Sequence, residues 1–196
     1  DAYFKHINYL VNQFTPDYLV IAIEVNLLRL NAEEKWDGYK LLIANVKSKI
    51  QQVYPNLLIS ESIALHNLYE PNVPNSTAYI SEMTNYMNQM DYIAISFYPF
   101  FNDLSSQSEF QQVFDFLHDN VNKPIAFVET SHIAEDLIVP NLGISTPGTE
   151  IEQNLYLETL FENAKEQNYE FVIWWTYRDY DALWETFPDE LKDIGQ

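Results

Sequence analysis

A chain of 196 residues with 47% hydrophobic composition can bury one substantial core and requires no second domain. Its formal net charge of -19, from 29 acidic against 10 basic residues, argues against a nucleic-acid or anionic-membrane surface, because both need clustered Lys and Arg. The lack of cysteine excludes disulfides, thiolate nucleophiles and Cys-ligated zinc, and neither G-x-G-x-x-G nor a Walker pattern occurs.

Apolar positions at Phe4, Ile7, Leu10, Val11 and Phe14 predict a helix over 3–14, ended by Thr15-Pro16. The run 18–24 is unbroken and apolar, as in a strand buried on both faces of a parallel sheet, and it ends on Glu24. Asn31 with Glu33 and Glu34 then predicts the start of a helix reaching 53, stopped by Tyr54-Pro55. A second strand reads at 57–63, an irregular stretch at 66–75 with Pro71 and Pro74, and a helix from Ser76 to Met90.

The third strand, 92–97, runs into Tyr98-Pro99, and a polar loop through Ser106 precedes a helix at 107–120. Lys123-Pro124 introduces the fourth strand, 125–129, which closes on Glu129. A long loop over 131–148, a helix at 149–167, a fifth strand at 171–176 and a short helical stretch at 180–191 complete the chain.

Strands alternate with helices, and strand starts lie roughly 33 to 47 residues apart, which predicts βα units and a parallel sheet in a single domain, 1–196. The long connections all follow strands, the functional face of a (β/α) barrel or an open α/β sheet. Strand number alone suits the open sheet, since five strands complete that fold and not a barrel.

The strand ends carry Glu24, Glu61 with Ser62, Tyr98, Glu129, and Trp174 or Trp175. In this order Ile-Glu-Val-Asn, Ser96-Phe-Tyr-Pro-Phe, Phe-Val-Glu-Thr and Ile173-Trp-Trp-Thr resemble the carboxyl-terminal part of clan A glycoside hydrolases, particularly the endo-β-1,4-galactanase-like group. The resemblance implies a partial TIM (β/α)8 barrel, strands four to eight with their helices. It implies retaining hydrolysis of a poly- or oligosaccharide without a cofactor, with Glu24 as acid/base and Glu129 as nucleophile. Tyr98 would hold Glu129 ionised through a hydrogen bond, and Trp175 would offer a flat apolar face to a sugar ring.

Glu61, His66 and His132 are further candidates for sugar contact. The clan has Asn immediately before its acid/base, where this chain has Ile23, and Asn26 is the candidate to replace it. The four histidines form no metal-binding pattern.

A five-strand arc leaves two open edges and an uncovered inner face, so a preceding amino-terminal segment or a second chain is expected to complete the barrel. The partner is then a carbohydrate, neither nucleic acid nor membrane, and a secreted or periplasmic location follows from where polysaccharides are met. The beginning at Asp1 shows no signal-peptide pattern, which suits either a processed chain or one never exported. The rival reading is a non-catalytic carbohydrate-binding or assembly protein built on a barrel remnant.

Overall fold

The computed structural model describes residues 1–139, 143–176 and 186–187. Helix α1 (Ala2–Phe14) is closed by Thr15 in the left-handed region, φ 42°, ahead of Pro16. Strand β1 (Tyr18–Val20) leads into Glu24 and two successive helices, α2 (Val25–Asn31) and α3 (Glu33–Val53). The second strand is split at Glu61 into β2 (Leu58–Ser60) and β3 (Ser62–Ala64) and is followed by α4 (Leu65–Tyr69) and α5 (Ser76–Met87). Then come β4 (Ile93–Phe97), a 3-10 turn (Pro99–Asn102), α6 (Gln107–Asn120), β5 (Ile125–Thr130), the short strands β6 (Leu137–Val139) and β7 (Ile144–Thr146), α7 (Glu150–Glu166) and β8 (Val172–Trp174).

Strand β1 pairs with β2, and β3, β4, β5 and β8 pair in that order, all parallel. The Ile21 N–H donates to Ser60 O and the Ser62 N–H to Ala22 O, both at 2.9 Å, so the first pairing continues across the split at Glu61. The five strands therefore lie side by side in chain order. A doubly wound sheet reverses its order at a switch point, and none occurs here, so the arrangement is an arc of a (β/α) barrel.

The arc curls until its ends meet. On the inner face Tyr18 of β1 lies edge-on to Phe171, just before β8, at 5.2 Å between ring centroids, and to Tyr92 at 5.4 Å. The Tyr18 hydroxyl also donates to Glu170 Oε2 at 2.5 Å. These three rings fill the amino-terminal end of the concave face, so the inner face expected to be bare is covered there by the chain's own aromatics. Beside them the concave face leaves a concavity of about 260 Å³ that runs from Tyr18, Tyr92 and Phe171 to Ser62, Ser96 and Glu129.

Outward-facing residues Ile63, Ile95, Phe97 and Phe127 pack against Met83, Phe110, Phe114, Tyr156 and Leu160 of the helices. A second cluster packs Ile7 and Val11 of α1 and Ile43, Val46 and Ile50 of α3 on Ile21, Leu57 and Ile59. Each such buried side chain contributes about 1.5 to 3 kcal/mol relative to exposure, which is what holds helices to the convex side.

Several local expectations change. Asn31 ends α2 and does not begin α3, so the stretch after Glu24 is helical. The helix expected over Ser76 to Met90 ends at Met87, and Asn75 caps it, its side chain accepting from the Ala78 N–H. The irregular stretch 66–75 contains α4, and the loop 131–148 contains the antiparallel pair β6 and β7. Ser106 and Glu109 form a reciprocal capping box that fixes the start of α6 where expected. The stretch 180–191 lies outside the described residues apart from 186 and 187.

Candidate active site

Glu24 follows β1 and is the residue from which α2 starts. Its backbone sits in the left-handed region at φ 49°, ψ 47°, which for a residue with a Cβ costs about 1 to 2 kcal/mol and is held by surrounding contacts. Its N–H donates to the Ser62 hydroxyl at 2.8 Å. Two residues on, the Asn26 side chain donates to Ala64 O at 3.0 Å and accepts from the Ala64 N–H at 2.9 Å, which reproduces a ladder pair after the backbone has turned into helix.

Glu129 is aimed by a register shift. Ile95 is opposite Phe127 but Ser96 is opposite Glu129, so β5 carries one extra residue, Val128. The bulge puts both Val128 and Glu129 on the concavity and turns Thr130 outward, where its hydroxyl meets the Tyr156 hydroxyl of α7. Tyr98, at the end of β4, donates its hydroxyl to Glu129 Oε1.

Burial and then the Glu129 charge push the Glu24 carboxyl above its ordinary pKa. Burial, the bond to Glu129 and the charges of both glutamates raise Tyr98, so this phenol stays protonated as a donor. Glu24, Glu129 and Tyr98 thus form one electrostatically connected group at the carboxyl ends of the arc's strands, Tyr98 and Glu129 on adjacent strands and Glu24 on the first. Two carboxyl groups at the carboxyl ends of one arc, one of them favoured protonated, have the chemistry to give a proton to a leaving oxygen and to attack the adjacent carbon.

His66, on α4, packs its ring against Tyr98 at 6.4 Å and Phe101 at 5.1 Å between centroids. Burial lowers its pKa to about 4, so the imidazole is neutral near pH 7. Trp175 follows β8 on the same rim, 52% exposed, with its N–H donated to Thr130 O at 2.8 Å. Trp174 points the other way, onto Tyr156 at 6.1 Å.

Three expected contacts with sugar are corrected. Glu61 points to the convex side, where Tyr39 and Tyr86 donate to its buried carboxylate, because alternation along the strand turns it away from Ser62. Asn26 has no exposed surface and its amide is engaged by Ala64. His132 is buried, with its ring nitrogens against Ile133 O at 3.0 Å and Leu104 O at 3.2 Å.

Sequence reasoning placed Ser62 at a strand end beside Glu61 without giving it a role, and missed Ser96; the two hydroxyls floor the concavity and bond each other at 3.2 Å. A signal was available for Ser96, a serine inside an otherwise apolar strand, where a buried hydroxyl requires a partner. Among the described residues no group of three or more His, Asp or Glu could hold a metal ion, and no helix is long and apolar enough to cross a membrane.

Comparison with known proteins agrees with this fold and places the chain in a class, the barrel glycoside hydrolases. Among solved structures it is similar to an Ignisphaera aggregans GH53 catalytic domain, at 20% identity and a TM-score of 0.57, over 88% of this chain and 51% of that one. It is also similar to a GH113 β-1,4-mannanase, at 18% identity and 0.52, over 92% and 53%. A β-glucuronidase of an uncultured Clostridium sp. matches at 14% and 0.57, over 91% and 29%. The chain thus spans about half the length of the first of these. Curated protein sequences give no match. The model of glycosyl hydrolase family 53 matches residues 6–138, and the chain belongs to that family.

Proposed function

We propose that this chain carries the catalytic carboxylates of a retaining glycoside hydrolase acting on a β-linked poly- or oligosaccharide. The observation that carries the reading is the coupling of Glu24 to Glu129, with Tyr98 bonded to the latter. Glu24 gives its proton to the glycosidic oxygen as a Glu129 oxygen attacks the anomeric carbon and the leaving sugar departs. Glu24, now ionised, takes a proton from water, whose oxygen displaces Glu129 from the same carbon. The charge of -19 leaves the cleft suited to neutral sugars. Further strands, from the same polypeptide or a second one, would line the other side of the cleft, and a polysaccharide substrate would be met outside the cell.

Glu24→Ala and Glu129→Gly variants assayed on aryl glycosides with azide test the roles. The expected products are a glycosyl azide of retained configuration from Glu24→Ala and of inverted configuration from Glu129→Gly. An active parent enzyme whose variants give neither product would sink both assignments.

A second reading has its own observation. Ile23, 71% exposed beside Glu24, offers no hydrogen bond to a sugar 2-hydroxyl, and Asn26 is buried. A protein that binds carbohydrate without turning it over fits that surface, and it would bind oligosaccharide in calorimetry while releasing no reducing ends.

A further inference from the structure

Glu24 has no side-chain cap and no glycine-like freedom, yet it adopts φ 49°. What fixes it comes from the neighbouring strand. The Glu24 N–H reaches Ser62 Oγ at 2.8 Å, and Ser62 Oγ accepts a second bond from the Ser96 hydroxyl at 3.2 Å. Both serines are fully buried, so neither hydroxyl can exchange these partners for bulk water. Ser96 is in turn opposite Glu129 in the register of β4 and β5. A row of side chains, Glu24, Ser62, Ser96 and Glu129, therefore crosses four adjacent strands at one level of the arc, with a carboxylate at each end.

Resting on the acid/base reading of Glu24, we propose that Ser62 is a positioning residue: its hydroxyl holds the left-handed turn at Glu24 and so keeps that carboxyl facing Glu129, with Ser96 holding Ser62. Without the hydroxyl the Glu24 N–H has no acceptor and the backbone relaxes toward an ordinary conformation, which rotates the Cα–Cβ bond and carries the carboxyl with it. Asn26 clamps the next turn to Ala64 independently, so this rotation is local and α2 stays docked.

The test follows the Glu24 carboxyl titration by side-chain carbon NMR in the full chain, comparing the parent with Ser62→Ala, Ser62→Thr, Ser96→Ala and Glu129→Gln. The titratable groups electrostatically linked to Glu24 are Glu129 and Tyr98. Glu129→Gln is expected to lower the Glu24 midpoint. Ser62→Ala is expected to lower it by at least half as much, Ser96→Ala by less, and Ser62→Thr to restore it, its added methyl having the concavity to enter.

In the turnover assay, Ser62→Ala should lower kcat about 10- to 100-fold on substrates whose leaving group needs a proton, with KM little changed, the range expected for a misdirected general acid. A Glu24 midpoint that ignores Glu129→Gln overturns the carboxylate pair itself. One that responds to Glu129→Gln and ignores Ser62→Ala overturns the Ser62 proposal alone.

Discussion

The Tyr98 hydroxyl, at the end of β4, donates to Glu129 Oε1, at the end of β5, and this bond joins the ends of two adjacent strands. A hydrogen bond to a charged group is worth about 1.5 to 3 kcal/mol, so Tyr98→Phe is expected to lower kcat about 10- to 100-fold. Glu129 then loses both a fixed rotamer and its phenolic hydrogen-bond donor. Steady-state kinetics with a thermal melt checks this. Unchanged kcat in a folded variant would remove Tyr98 from the reaction.

Glu24 supplies the pH dependence. Its pKa is raised by burial and by Glu129, so its acid form persists above the ordinary carboxylate range. Activity on substrates that need leaving-group protonation should therefore fall as pH rises through the Glu24 pKa. A dinitrophenyl glycoside, whose leaving group needs no proton, should lose that alkaline limb in its pre-steady-state burst. An identical limb for both substrates would assign the titration to another group.

Much of this arrangement was legible in residue order. Apolar runs ending in Glu24 and Glu129 marked buried strands, and the polar loop through Ser106 marked the start of α6. What was not legible depended on which side of a strand a residue takes. Simple alternation from Ala126, inward, sends Glu129 outward, and only the extra residue at Val128 reverses it. Glu61 follows alternation and so leaves the cleft, although its position after an apolar run looked equivalent to that of Glu24. The closure of the arc by Tyr18, Tyr92 and Phe171 joins residues over 150 positions apart, beyond any local pattern.

Tyr92 tests how the inner face is completed. Its hydroxyl is buried in the concave face with no hydrogen-bond partner among the described residues, and an unsatisfied buried group costs about 1 to 3 kcal/mol. Tyr92→Phe is expected to stabilise this chain by about 1 kcal/mol in urea unfolding. Where additional strands cover the concavity and accept that proton, the same substitution should destabilise instead. The sign of the change thus reports whether the face is covered.

Glu61 couples stability to pH. Burial raises its pKa, against the lowering effect of the Tyr39 and Tyr86 hydroxyls and of Lys47. A carboxyl whose folded pKa exceeds its unfolded value contributes stability below the unfolded value, and that contribution is lost as pH rises through the folded pKa. The melting temperature should therefore carry a component that declines with rising pH from about the ordinary Glu value upward. Glu61→Gln should flatten it. A slope unaffected by the substitution would show that other carboxyls produce it.

Trp175 and His132 both stand near the cleft in sequence, yet substitution should separate them. Trp175 is half-exposed at the end of β8, and a stacked ring is worth about 0.5 to 1.5 kcal/mol, so Trp175→Ala should raise KM for oligosaccharides about 3- to 10-fold with little loss of stability. His132 packs against Phe110 at 5.5 Å and Tyr156 at 6.0 Å with both ring nitrogens facing carbonyl oxygens. Truncating it leaves a cavity and unmet acceptors, so His132→Ala should cost about 2 to 3 kcal/mol of stability. KM should stay constant, because the ring belongs to the junction between β5 and α7 and not to the concavity. Oligosaccharide kinetics and urea unfolding on the two variants check both directions. A rise in KM for a fully folded His132→Ala would return that histidine to the sugar site.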